Sequence, residues 1–239
     1  MTGPRASKVI KQDPQSEFGT SERFAGSLPV GQHTFSMGRF LGEAIALVLM
    51  SVLVPFLIYL DATVLFGQIS ETSLTEWTQA LLIFSTAALF FVGARKIPTA
   101  RGYLMSAATL CFCMFLREND AHFDDIWHGF WAVPVGLVFC FGFAFAVRHK
   151  ETLRAPFLRH AATREGAYIL VGFVVLLIFS RIYGSGDLWR PVMAENYSWE
   201  FKAALQEGIE LMGYSLLTFG TVLSYRSGFG QGPETAEHH

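Results

Sequence analysis

Two clusters of ionisable residues interrupt an otherwise apolar sequence. The first spans residues 117–128, Arg-Glu-Asn-Asp-Ala-His-Phe-Asp-Asp-Ile-Trp-His, in which Arg117, Glu118, Asp120, His122, Asp124, Asp125 and His128 can carry charge. On a helix, Glu118 and His122 fall one turn apart, and Asp120, Asp124 and His128 form a second i, i+4 row. Carboxylates mixed with imidazoles at that spacing can ligate a divalent ion such as zinc or manganese. The same groups can also pass protons as general acid and base. A solvated loop with helix-capping acids accounts for the segment without any ligand.

The second cluster is Gln206-Glu207-Gly208-Ile209-Glu210-Leu211-Met212-Gly213-Tyr214, inside an apolar stretch. Glu207 and Glu210 are three apart, Tyr214 is four beyond Glu210, and Thr218 and Thr221 continue the stripe. From a helix start near Ala203, Glu207 lies roughly 6 Å and Glu210 roughly 10 Å along the axis. A charged residue at the centre of a membrane helix costs about 2.5–3.5 kcal/mol on insertion scales, so these two face a bundle interior or a wet cavity. Two acids one turn apart also repel unless something neutralises them. Arg117 and Arg181 are the candidate partners. The expected assembly is therefore Glu118, Asp120, His122, His128, Glu207 and Glu210 as metal ligands, with Arg117, Arg181 and Tyr214 beside them. The competing reading is a set of carboxylates that only lock helices together.

The elements that must position these groups follow from composition. The chain has 239 residues, 51% hydrophobic and 16% charged, against about 25% charged in soluble domains. That argues against a soluble enzyme, a disordered chain and a nucleic-acid binder. Six stretches approach the roughly 20 apolar residues a bilayer-crossing helix needs. They run from Phe40 to Leu60, Trp77 to Gly93, Gly102 to Leu116, Gly129 to Val147, Ala167 to Tyr183 and Ala203 to Leu223. With the N-terminus inside, 14 of the 18 Lys and Arg fall in cytoplasmic segments, as positive-inside orientation requires. The outer segments keep only Arg117, Arg181, Arg190 and Lys202, and most of the acids. The fold expected is an all-α membrane protein: a six-transmembrane-helix bundle over 39–226, both termini cytoplasmic. Residues 1–38 read as a disordered tail and 227–239 as a flexible one. Pro134 predicts a kink in the fourth helix. Trp77, Trp127, Trp131, Trp189, Tyr197 and Trp199 form an outer aromatic belt. Cys111, Cys113 and Cys140 lie in apolar helices and read as packing thiols.

The pairing of Arg117-Glu118-Asn119-Asp120 with Phe123-Asp124 and His128-Gly129, and Glu207-x-x-Glu210-x-x-Gly213-Tyr214 in the last helix, resembles a loose group of uncharacterised bacterial inner-membrane proteins. The resemblance covers helices three to six and implies location in the inner membrane but no particular activity. Membrane hydrolases similar to alkaline ceramidases and adiponectin receptors place a Ser, an Asp and three His around zinc, with His-x-x-x-His late in the chain. Here the last helix offers Glu207 and Glu210 and no His, so that activity does not carry over.

The reading that results is an integral membrane protein in contact with lipid and not with nucleic acid. An outward-facing carboxylate/His/Arg cluster binds an ion or small polar group in a non-enzymatic, solute-handling or accessory role. A metal-dependent lipid hydrolase and a purely structural subunit are the alternatives.

Overall fold

The structure is a computed structural model that describes Gly3, residues 37–65 and residues 73–230. Most of the expected N-terminal tail, and the C-terminal tail beyond Gly230, lie outside the described residues. The chain divides into two units, Met1–Glu43 and Ala44–His239. Of the first, the opening of one helix is described, with Glu43 buried and Arg39 exposed.

Every regular element among the described residues is helical. Helix α1 (Met37–Leu60) runs into a π-helical segment, Asp61–Leu65. Then come α2 (Leu74–Lys96), a turn at Pro98–Ala100, α3 (Arg101–Glu118), the short α4 (Asp120–Asp124) and α5 (Ala132–Arg148). The second half holds α6 (Arg154–Ala161), α7 (Arg164–Val174), a π-helical segment Val175–Phe179, α8 (Ser180–Tyr183), α9 (Gly186–Met193) and α10 (Trp199–Arg226).

Among the described residues, four helical segments are long and apolar enough to cross a membrane: Met37–Val64, Leu74–Lys96, Pro98–Glu118 and Arg164–Tyr183. A fifth is reached if Ala132–Arg148 and Lys150–Ala161, bent by 92° at their junction, count as one span. Large apolar side chains stand exposed along these helices, Val48, Leu81, Leu137 and Leu170 each above 60%. In lipid such a surface matches its solvent. Helix α10 is 28 residues long but falls outside the apolar set. Its buried face holds Glu210, Tyr214, Ser215, Thr221 and Ser224. Helix α10 packs against α2 and α7, and a face covered in this way need not be apolar.

Close backbone approach makes that packing. A Cβ added at Gly172 would lie 2.8 Å from the Leu217 nitrogen, one at Gly213 2.6 Å from Leu176, and one at Gly220 2.9 Å from Ile169. Helices α7 and α10 therefore touch through glycines, as small-residue interfaces do in membranes. Gly172 of α7 meets the Gly213 carbonyl of α10 in this contact.

Three local features depart from sequence expectation. Pro134 stands in the first turn of α5, which begins at Ala132. There the missing N–H has no helical acceptor to lose, so no kink is required. Among the described residues, Pro55 of α1 and Pro191 of α9 lie inside helices. Asp61, assigned by sequence to an outer loop, is fully buried. Its carboxylate accepts from the Leu74 and Thr75 amides at 2.9 and 2.8 Å, and from the Thr75 hydroxyl. It thus satisfies amides that the first turn of α2 leaves without helical partners, beside the N-cap Ser73. Finally, Ser227–Gly230 form a turn with positive φ at Gly228, Phe229 and Gly230. The turn drives the Phe229 ring into the core against Phe90, centroids 5.5 Å apart, over the flat surface left by Gly93.

Candidate functional site

Helices α2, α3, α8 and α10 bring their polar side chains together near the end of the bundle where α10 begins. The Tyr214 hydroxyl donates to Glu118 Oε1 at 2.7 Å, and Arg117 Nη1 lies 3.2 Å from the same oxygen. Glu210 Oε1 accepts from Gln206 Nε2 at 3.1 Å and faces Arg181 Nη2 at 3.7 Å. Glu207 Oε2 accepts from Gln79 Nε2 at 2.9 Å, and the Glu207 backbone carbonyl accepts from the same nitrogen at 3.1 Å. Glu118, Glu207 and Glu210 repel one another, while Arg181 attracts both Glu118 and Glu207. Three carboxylates and two guanidinium groups therefore share one region of the bundle.

The backbone explains how these groups meet. Glu207, Glu210 and Tyr214 lie on one stripe of α10 by their spacing of three and four. Glu118 ends α3, whose preceding turns pack on α2. Arg181 is the second residue of α8, which follows the π-helical segment Val175–Phe179. A π turn inserts a residue into the helical repeat and re-aims everything beyond it. Arg181 thereby reaches Glu210 with its side chain 48% exposed and the carboxylate 7% exposed. The contact is single and long, unlike a bidentate fork.

Of the remaining sequence-predicted residues, His128 lies apart from this core, and Asp120 and His122 border it at Glu118. His128 is 99% exposed, with Nδ1 3.0 Å from Asp124 Oδ2. The other Asp124 oxygen accepts from the Gly129 amide at 2.8 Å. His122 stands edge-on to Trp77, centroids 6.2 Å apart. His122, Asp120 and Glu118 line a small cavity of about 40 Å³ with Glu76 and Trp77, enough for a water or a small ion. Among the described residues, no group of three His, Cys, Asp or Glu side chains is placed to hold a metal ion. Trp77, Trp127 and Trp199 of the expected aromatic belt are exposed. All three cysteines are free, with Cys111 buried and Cys140 exposed.

Two polar features were missed in the sequence. Gln79, 1% exposed in the middle of the packed helices, holds Glu207. The signal was a long amide in an apolar helix, which must find partners inside the bundle. The second is a hydrogen-bonded chain at the opposite end. His160 Nδ1 is 2.7 Å from the Tyr103 hydroxyl, and Nε2 is 2.7 Å from Ser224 Oγ. Ser224 already donates to the Gly220 carbonyl at 2.8 Å, so it accepts from His160 Nε2–H. A neutral imidazole in this orientation accepts from the Tyr103 hydroxyl at Nδ1. This chain joins α3, α6 and α10.

Comparison with protein-family models, curated proteins and solved structures finds no match to this chain. Fold and site alone define the class: a helical protein with several apolar helices compatible with membrane crossing and a polar cluster buried among them.

Proposed function

We propose that the chain is a six-span inner-membrane protein with both termini cytoplasmic. Its outward-facing cluster of carboxylates and arginines binds an ion or small polar group in a non-enzymatic, solute-handling or accessory role. Helix α10 is the sixth span, its polar stripe covered by α2 and α7. The basic segments around Arg95–Arg101 and Arg148–Arg164 lie on the cytoplasmic side under the positive-inside rule.

One observation carries the reading. With every group ionised, Glu118, Glu207 and Glu210 hold three negative charges against two positive charges on Arg117 and Arg181. A cluster assembled only to lock helices would gain from matched, bidentate pairs. This one keeps a charge in excess and a single 3.7 Å contact between Arg181 and Glu210. An excess charge away from bulk water favours uptake of a proton, a cation or a cationic group.

Ligand-induced stabilisation tests this. Purified protein in lipid nanodiscs is heated with a panel of monovalent and divalent salts and small amines, amino acids and carboxylates, at several pH values. At least one ion or solute, protons included, should raise the unfolding midpoint of the wild type, and Glu210→Gln should weaken the response. A midpoint that no component of the panel moves would sink the proposal.

A further inference from the structure

Helices α2 and α5 both pack on α3, and the three helices line a groove of about 540 Å³. Ala87 and Ala108 are buried at its base, while Phe84, Phe91, Leu137 and Phe141 stand exposed as its walls. At 1.5 Å per residue it runs roughly 10 Å along α2, from Phe84 to Phe91. Its one polar lining side chain is Thr109, whose hydroxyl donates to the Met105 carbonyl at 2.9 Å. A polar group would find no donor there, so the groove suits hydrocarbon.

Charge collects at one end of this groove. Arg95 lies one turn beyond Phe91, Arg101 one turn before Met105, and Arg148 two turns beyond Phe141, each on the stripe of its lining residue. The turn Pro98–Ala100 joins α2 to α3 at that end, and the Gly102 amide donates to Thr152 Oγ1 at 2.9 Å, just past the end of α5. The Arg95 guanidinium stands 5.7 Å from the centre of the Phe91 ring, and Arg101 Nε donates to the Ala94 carbonyl at 3.4 Å. Among the described residues, none of these three arginines pairs with a carboxylate. One turn beyond the opposite end of the groove, the same stripes hold Ala80, Leu116 and Val133.

We infer that the groove seats an acyl chain of one anionic phospholipid, with its phosphate at Arg95, Arg101 and Arg148. Guanidinium forks match phosphate oxygens, and basic pockets between spanning helices take anionic head groups. The site shares no residue with the polar cluster, and it rests only on the embedding of α2, α3 and α5 in lipid.

The test is lipid binding to full-length protein, stripped of lipid in detergent micelles. It is titrated with phosphatidylglycerol or with phosphatidylcholine of the same acyl chains, and bound lipid is counted by native mass spectrometry. Wild type should take up one phosphatidylglycerol, with about tenfold preference or more over phosphatidylcholine. Arg95→Gln combined with Arg101→Gln should lose that preference. Ala88→Phe should lose the bound lipid, since Ala88 is an exposed lining residue whose enlargement fills the groove. Arg226→Gln should keep both lipid and preference. It ends α10 at the same end of the bundle, where Lys96 Nζ donates to the Tyr225 hydroxyl, but α10 does not line the groove. Unfolding midpoints without added lipid check that each variant folds; if Ala88→Phe does not, Ala88→Leu replaces it. Equal binding of the two lipids, uptake that does not saturate at one, or undiminished binding to the Ala88 variant would each overturn the seat. So would an equal loss in Arg226→Gln, or dimers of the chain that take up no lipid. None of these outcomes bears on the response of the polar cluster to ions and solutes.

Discussion

The Tyr214 hydroxyl donates to Glu118 Oε1 at 2.7 Å and so ties α10 to the end of α3 across 96 residues of sequence. Both side chains are shielded, Tyr214 being 2% exposed. Tyr214→Phe keeps the ring and deletes one donor to a carboxylate. It should cost about 1–3 kcal/mol, the penalty for leaving a buried acceptor short of a partner. Denaturant unfolding in detergent micelles checks this; a loss below about 0.5 kcal/mol would show that water replaces the hydroxyl freely.

Arg181 and Glu210 should couple weakly. At 3.7 Å, with the guanidinium half exposed, the pair resembles a surface contact, for which cycles give about 0.2–1 kcal/mol. A double-mutant cycle with Arg181→Gln and Glu210→Gln measures it. A coupling of several kcal/mol would mean that the pair is sealed from water.

Phe229 should matter as much as any residue of the core. It is 1% exposed and packs on Phe90, Tyr225 and His160. Phe229→Ala should cost about 3–5 kcal/mol, as large-to-small core changes do. A chain stopped after Arg226 should lose a similar amount. Thermal unfolding of both proteins decides the matter, and an unchanged midpoint would contradict the packing seen at Gly93.

The Tyr103–His160–Ser224 chain should behave as one unit. Tyr103→Phe and Ser224→Ala each remove a partner of a buried imidazole and should cost about 1–3 kcal/mol. Their effects should be non-additive, since both act through His160. Additive losses in the double variant would show two independent hydrogen bonds.

The six-span topology has its own check. A green fluorescent protein fused after His239 should fluoresce, and alkaline phosphatase fused there should be inactive. Fusions truncated within residues 120–128 should give the opposite pair of results. An active phosphatase at the C-terminus would reverse the assignment of the cluster to the outer face.

The helices themselves were legible from local properties. Length and apolarity marked α1, α2, α3, α5 and α7, because the requirement to satisfy backbone groups in lipid acts on each segment separately. The last helix was legible through its stripe of Glu207, Glu210, Tyr214 and Thr218, whose spacing needs no tertiary information. Pro134 misled because a proline's effect depends on its distance from the helix start, and boundaries are weakly encoded. Phe229 and Asp61 were invisible as packed residues. A lone aromatic beyond a helix and a lone acid at its end look solvated until the partner element is in place.

The sequence by itself determined which segments are apolar enough to enter a membrane and that Glu207, Glu210 and Tyr214 share one stripe of α10, since apolarity and spacing are local properties. Only the tertiary structure decided what those acids meet. Glycines at positions 172, 213 and 220 set how closely α7 and α10 approach, and the π turn before Ser180 re-aims Arg181 toward Glu210. The rotation of α2 places Gln79 rather than a charge against Glu207. Such pairings join residues up to 128 positions apart. They depend on the rotation and depth of whole helices, which no local pattern specifies.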